Sequence, residues 1–565
     1  MVELTVDGLN CTISNDAISI SFSETAKATS VVFCGRELMM NLSGATGDPD
    51  RTNSFYCDYH VNGKTKNLMP TRLEVIADTP ELAHVAYVDD QSALQLSYHL
   101  MVRDDTPAIF GYVVAGTEAD DLVINELRTV YRFDSTLFTT GYTARRQGLQ
   151  PKAQYMAQFE KLQDETYRFP DACRYTNSYV YSKYDYAGYF ADNDFWGQYG
   201  EGPDGRQWGA WFMPQDKSCY PSGPMKQELL VHYDSIILNY MTGAHFGTGD
   251  FDVPKGWRKL YGPWCVYFNS AEDAAADAAA FAARQRAAMP ADWIDEPSLY
   301  SRHVGTVSGI LSLRHDFAHA DGWTVVMTSE KGDYFRQKAG RIYYTRADEQ
   351  GMFEFSGVQP GTYWLYAYLN KTADVHEYFL GEATVEPDGQ CVKGLIDVDN
   401  EVLPLEWQIG TYSRTTEPFV FSDQLRNYIW MGLTPTNLTY RVGRDDDWYY
   451  LQHDGGEWTI EFERPRSAAT AGAYRLTVCL AAATLKTMIS GVADASFAID
   501  FNGRRVFDGH FENDRAAYRS SVTGGEARTI ELEIPASDME DLNTIAFTTP
   551  DYIMYDMIKL EALVG

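Results

Sequence analysis

The 565-residue chain lacks most of the features by which a sequence announces its chemistry. It has no CxxC pair. Its eight cysteines, Cys11, Cys34, Cys57, Cys173, Cys219, Cys265, Cys391 and Cys479, stand singly, which in a chain this long predicts free thiols and a reducing compartment. No apolar run approaches the length of a transmembrane helix. The start, MVELTVDGLNCTISNDAISISF, has neither a basic n-region nor an apolar h-region. The expected location is therefore cytoplasmic, or secreted if a leader was removed. Phosphate loops, heptads, tandem repeats and low-complexity tracts are missing. Positive charge is also scarce, with 47 Lys and Arg against 79 Asp and Glu and a net charge of −32. That balance argues against nucleic acid or an anionic membrane as a partner, and a polyanionic substrate would need a local positive cleft.

What the chain has in quantity is aromatic side chains: 14% of residues, with 38 Tyr and 12 Trp. Such residues favour strands, so an all-β protein is expected, and ring faces also suit contact with sugars. The length predicts two to four domains. Residues 1–135 read as successive strands, for instance DAISISFS (16–23) and LQLSYHLMV (94–102). An alanine-rich helix is expected over 271–288, with Ser270 as a plausible N-cap, Asp273 in its first turn and Pro290 as its stop. It closes a first domain, 1–296. A smaller sandwich follows over 297–398, with a turn at Gln359-Pro360-Gly361. The remainder, 399–565, reads as a jelly roll, with Asn502-Gly503 marking a type I′ hairpin. His315 and His319 would lie on one strand face but too far apart to share an ion, and Asp445-Asp446-Asp447 reads first as a solvated acidic loop.

The stretch from Tyr179 to His245 carries the densest chemistry. It runs YVYSKYDYAGYFADNDFWGQYG, turns at Pro203-Asp204-Gly205, and passes through PSGPMKQEL (221–229) to LNYMTGAHFG (238–247). As a continuous strand, Tyr179, Tyr181, Lys183 and Asp185 would share one face. Upstream, INELRTVYRF (124–133) would place Glu126, Arg128, Val130 and Arg132 on one face and Leu127, Thr129, Tyr131 and Phe133 on the other. The arginines would be a solvated face or the lining of a groove for carboxylates.

Taken in order, ELR (126–128), YSKYDY (181–186), WGQYGEG (196–202), SGPMKQEL (222–229), MTGAH (241–245), LYGPWCVYFNS (260–270), DEQGMFEFSGVQPGTYWLYAY (348–368), LEWQIGTYSRT (405–415) and MYDMIKLE (554–561) resemble the rhamnogalacturonan lyases of polysaccharide lyase family 4. The resemblance covers nearly the whole chain. It implies a large catalytic β-sandwich of the galactose-mutarotase-like super-sandwich kind, a fibronectin-III-like domain, and a carbohydrate-binding-like jelly roll. It also implies cleavage of the rhamnose-α-1,4-galacturonate bond by β-elimination, with Lys183 as base and His245 as acid. Arg128, Tyr240 and Tyr181 would contact the pectic substrate. No cofactor is implied for catalysis, a structural calcium in the C-terminal domain stays open, and a monomer is expected. The pattern departs at Leu238, where fungal members carry a second tyrosine two positions before Tyr240.

The chemistry explains why such residues are needed. A base must reach the weakly acidic C5 proton, the adjacent carboxylate must be neutralised, and the leaving oxygen needs a proton. Lys183 serves as base only where burial or a neighbouring cation lowers its pKa, a service expected of Arg128, and Asp185 must then point away or be paired elsewhere. Tyr240 and His245, five positions apart, would face opposite sides of an unbroken strand, so irregular backbone is expected at 242–244, around Gly243. Three other possibilities remain at this stage: a non-catalytic sugar-binding protein, a lyase of another rhamnosyl–uronate linkage, and a glycoside hydrolase. The last needs two flanking carboxylates, and no Asp/Glu pair is as well placed as Lys183 and His245.

Overall fold

The computed structural model describes residues 1–40, 52–176, 178–243, 245–246, 249–315, 322–424, 432–453, 455–465, 467, 471–486, 494–519 and 523–563. His319 of the histidine pair lies outside them. The architecture is nearly all-β. In the first part, a nine-stranded sheet is centred on the strand Arg258–Ala271, which pairs with Gln207–Pro214 and Ala108–Gly116. Facing it are a five-stranded sheet from Glu3 to Glu37 and a six-stranded sheet built on Leu122–Arg132. Side chains of all three sheets, including Ile20, Leu127, Tyr131, Phe212 and Trp264, form one core.

The 124–133 alternation holds. Leu127, Thr129, Tyr131 and Phe133 are buried inward, while Arg128, Val130 and Arg132 lie on the outer face of the six-stranded sheet. There Val130 packs with Tyr56, Leu238 and Tyr240. Leu238, where a tyrosine was expected, is 4% exposed within that cluster. The helix is Ala274–Ala287, slightly shorter than expected. Asp273, not Ser270, caps it, accepting from Ala276 N at 2.9 Å. Ser270 is still in the preceding strand, opposite Trp208. The helix covers the outer face of the nine-stranded sheet, with Phe281 stacked on Tyr267 at 3.9 Å.

Between Gly305 and Val398, a three-stranded and a four-stranded sheet enclose Val307, Leu311, Val325 and Leu365. The Gln359-Pro360-Gly361 turn carries the chain from one of these sheets to the other. From Leu405 to Leu563, two five-stranded sheets pack around Trp448, Trp458, Phe547 and Tyr555. Asn502 and Gly503 have φ of 46° and 75°, as a type I′ turn requires. None of the eight cysteines is bridged. Asp445 accepts from Arg441 N at 2.7 Å, and among the described residues no cluster of His, Cys, Asp or Glu could hold a metal ion. The apolar core of the last sandwich continues into Tyr184, Ala187 and Phe246 of the first part. That seam positions the site.

Candidate active site

The strand expected to carry Lys183 stops one residue short of it. Val180–Ser182 is extended, and a 3₁₀ turn begins at Lys183 and ends at Tyr186. The cause is local. Ser182 Oγ accepts from Tyr184 N at 3.3 Å, and the Asp185 carboxylate accepts from Ser182 N at 3.4 Å, a capping box. The expected common face of Tyr179, Tyr181, Lys183 and Asp185 therefore does not form. Tyr179 is 64% exposed and Tyr181 is fully buried. Tyr181 packs with Met156, Phe169 and Tyr233 and donates to Gln150 Oε1 at 3.3 Å, so it is a core residue and cannot reach a substrate. Asp185 points away from the lysine. Burial, opposed by Arg146, pushes its pKa up to about 6.

The turn aims Lys183 at a tyrosine-centred cluster. Its Nζ lies 3.3 Å from Asp164 Oδ2 and 5.1 Å from the Tyr184 ring centroid. The Tyr184 hydroxyl donates to the same Asp164 oxygen at 2.6 Å. Burial lowers the lysine pKa. Asp164 and Glu165 oppose this, and Arg519 adds to it. Burial raises the Asp164 pKa, but Lys183, the Tyr184 hydroxyl, Arg519 and His245 outweigh it and hold the carboxyl at about 2.

Tyr184 also meets His245, whose ring is 5.5 Å away and edge-on. The histidine follows the strand Ile236–Gly243, whose register against Leu122–Arg132 slips between Leu127 and Arg128, leaving Met241 as the extra residue. Gly243 then adopts φ of 80°. Irregular backbone was expected at 242–244. It is found at Met241 and Gly243, and Ala244 lies outside the described residues. The bulge overcomes the parity problem, because the Tyr240 and His245 rings now meet at 4.9 Å. A Cβ on Gly243 would sit 2.1 Å from the Asn125 carbonyl oxygen. Gly243→Ala adds about 1–2 kcal/mol of left-handed strain to that clash. The backbone must move, and turnover is expected to fall about 100-fold through misplacement of His245. Kinetics alongside a thermal melt would show this, and a fully active, fully stable variant would refute it.

His245 is 8% exposed. Its Nδ1 is 2.9 Å from Glu228 Oε2, and its backbone N donates to Glu228 Oε1 at 3.1 Å. Burial, with Arg519 and Lys183 adding to it, holds the imidazole pKa well below its usual value. Tyr240 is buried, and its hydroxyl accepts from Arg128 Nη1 at 3.0 Å. Arg128 is itself clamped: Nε and Nη2 donate to the two Asp58 carboxylate oxygens at 2.7 and 2.8 Å, and Nη1 lies 2.9 Å from Glu126 Oε1. Two carboxylates thus already match its charge. The cation that bears on Lys183 is not Arg128, as expected, but Arg519.

Arg519 was not identified from the sequence. It belongs to the last sandwich, yet its Nη1 donates to His245 O at 3.2 Å and its guanidinium lies 6.0 Å from the Tyr184 ring. Gln227 Nε2 donates to Gly524 O, and Thr523 Oγ1 stands 3.1 Å from the Tyr189 hydroxyl, which pins the same seam. No local signal marks Arg519, which lies 274 positions from His245. The assembled site is a largely buried lysine and a buried histidine that both meet one tyrosine, with an arginine from another sandwich near the same ring.

Family models described as polysaccharide lyase family 4 domain II and domain III match residues 305–377 and 406–560. A rhamnogalacturonate lyase from Dickeya dadantii is 37% identical over 99% of this chain and 94% of its own length. A probable rhamnogalacturonate lyase B from Aspergillus flavus is 23% identical over 99% of this chain and 97% of its own. Among solved structures, a galactose mutarotase-like protein from Lactobacillus casei covers 46% of this chain and all of its own, at 10% identity and a TM-score of 0.27. Full-length identity to the Dickeya enzyme, together with both domain models in the expected order, shows that the chain belongs to polysaccharide lyase family 4.

Proposed function

We propose that the protein is a rhamnogalacturonan lyase that breaks the rhamnose-α-1,4-galacturonate bond of rhamnogalacturonan I or its oligosaccharides by β-elimination. The observation that carries this is the gathering of Lys183 and His245 at Tyr184, where Arg519 also donates to the His245 carbonyl. In its neutral form Lys183 Nζ takes the C5 proton, Arg519 balances the charge that builds on the uronate carboxylate, and protonated His245 delivers a proton to the leaving rhamnosyl oxygen. Arg128 donates to the Tyr240 hydroxyl and keeps 23% of its side chain exposed, available to substrate.

This chemistry fixes the form of the pH profile. The active enzyme carries one proton on the Lys183–His245 pair, and in the productive arrangement that proton sits on the histidine. Activity is therefore bell-shaped, with an acidic limb set mainly by His245 and an alkaline limb set mainly by Lys183. The height of the bell depends on how far the two affinities for the proton are separated.

Incubation with rhamnogalacturonan I and with short oligomers is expected to raise the near-ultraviolet absorbance of an unsaturated uronate. Because an arginine supplies the positive charge, turnover is expected to persist in excess chelator. Binding without any unsaturated product would sink the proposal, and loss of turnover in chelator with an intact fold would overturn the metal-free mechanism.

A further inference from the structure

Behind His245 lies a buried ion pair that the elimination does not use directly. Lys226 is 1% exposed and Glu228 is fully buried, with Lys226 Nζ 3.7 Å from Glu228 Oε1. They flank Gln227 and therefore point to the same side of the strand Gln227–Leu229. Lys226 also donates to the Gly243 carbonyl at 3.2 Å. The pair thus grips the His245 segment at three points: the Gly243 carbonyl, the His245 amide and the His245 ring. A buried ion pair is a poor source of stability, because desolvation offsets its attraction, so its use here calls for another reason.

The geometry points to Glu228, steadied by Lys226, as the positioning residue that fixes the tautomer of His245 and supplies the counter-charge to its imidazolium. An ionised carboxylate is acceptor-only, so His245 Nδ1 must donate to Glu228 Oε2 and carry hydrogen. Nε2 is then the nitrogen left to carry the transferable proton. Second groups of this kind, bound to the nitrogen that does not react, orient the ring and stabilise its cation.

The need for a counter-charge follows from the rest of the surroundings. Arg519, Lys183 and Arg128 all disfavour the imidazolium, and Glu126 and Asp164 favour it from further away. Tyr184 and Tyr240 present neutral rings at 5.5 and 4.9 Å. Asp164 is engaged by Lys183 and Tyr184. Glu228 is the carboxylate in direct contact with the ring. Without it, the productive arrangement, with the proton on His245 and Lys183 neutral, would be populated far less.

This inference rests on the lyase proposal, and its test separates the two. Glu228→Gln keeps the shape and a hydrogen-bonding oxygen but removes the charge. It is expected to lower the plateau of the kcat profile about 100-fold, as loss of such second-contact groups does, and to move the acidic limb to lower pH. Glu228→Asp restores the charge and should recover part of the rate. A Glu228→Gln enzyme that folds but shows an unshifted acidic limb would overturn the inference. Independently of turnover and of any variant, nitrogen NMR of histidine-labelled wild-type protein, with His245→Gln for assignment, should show hydrogen on Nδ1 of neutral His245. Hydrogen on Nε2 instead would equally overturn it. If the wild-type enzyme makes no unsaturated product, the lyase proposal fails while the NMR result still decides whether Glu228 sets the ring.

Discussion

Lys183→Ala is expected to lower kcat/KM by about 10²–10⁴-fold, the range over which a positioned general base contributes. The lysine is not replaceable by its neighbours. Asp164, the carboxylate nearest to it, is held at about 2 and is far too weak a base. Asp185, with a pKa of about 6, would be a better one, but it is consumed in the capping box and turned away. The fold should survive the change, because the Tyr184 hydroxyl still donates to Asp164, whose side chain is 37% exposed and can be solvated. A milder variant tests the same group through its charge environment. Asp164 raises the Lys183 pKa, so Asp164→Asn lowers it, and the alkaline limb of the pH profile should move to lower pH. An alkaline limb that stays in place would mean that Lys183 is not the group titrating there. Wild-type turnover by Lys183→Ala would end its assignment as the base.

Arg519→Ala should cost about 10²–10³-fold, as loss of a charge-stabilising donor at a developing anion does. Its effect differs in kind from that of Lys183→Ala. Arg519 meets the substrate carboxylate in the proposed mechanism, so KM rises together with the fall in kcat. Arg519 also lowers the pKa of both Lys183 and His245. Its removal therefore raises both, and the whole bell moves to higher pH. Arg519→Lys keeps the charge but loses the planar fork, and should lie between alanine and wild type. Unaltered kinetics in Arg519→Ala would show that the last sandwich contributes nothing to the reaction. The expected result makes that sandwich part of the active site. Separating it from the first part would then abolish catalysis even if both pieces folded.

Much of this protein is local in its sequence. The 124–133 strand could be read correctly because alternation of polar and apolar residues is a backbone property with period two. The turn at Asn502-Gly503 and the alanine-rich helix were legible for the same kind of reason, since each depends on a few adjacent residues. Lys183 and His245 were nominated through ordered motifs, and the bend near Gly243 was deduced from parity. The misses arise where neighbours several residues away compete with the local pattern. Ser182 and Asp185 close a capping box that ends the strand before Lys183, so alternation placed Tyr181 on the cleft when it belongs to a core with Tyr233. Arg128 has the right residue type on the right face, but Asp58, drawn in from the neighbouring strand Tyr56–Val61, claims its fork.

The sequence by itself determined the all-β character and the order of its parts, because those follow from periodicity and ordered motifs, and it nominated Lys183 and His245 only through the family that those motifs resemble. Tertiary structure alone decided the charge at the site. Electrostatic effects depend on distance through space and on burial, and neither is written in the spacing of residues. Only the packing of the last sandwich against Tyr184 and Phe246 brings Arg519 to His245. Only the folding of the 221–229 segment beneath the Met241 bulge puts Glu228 against the ring that must carry the proton.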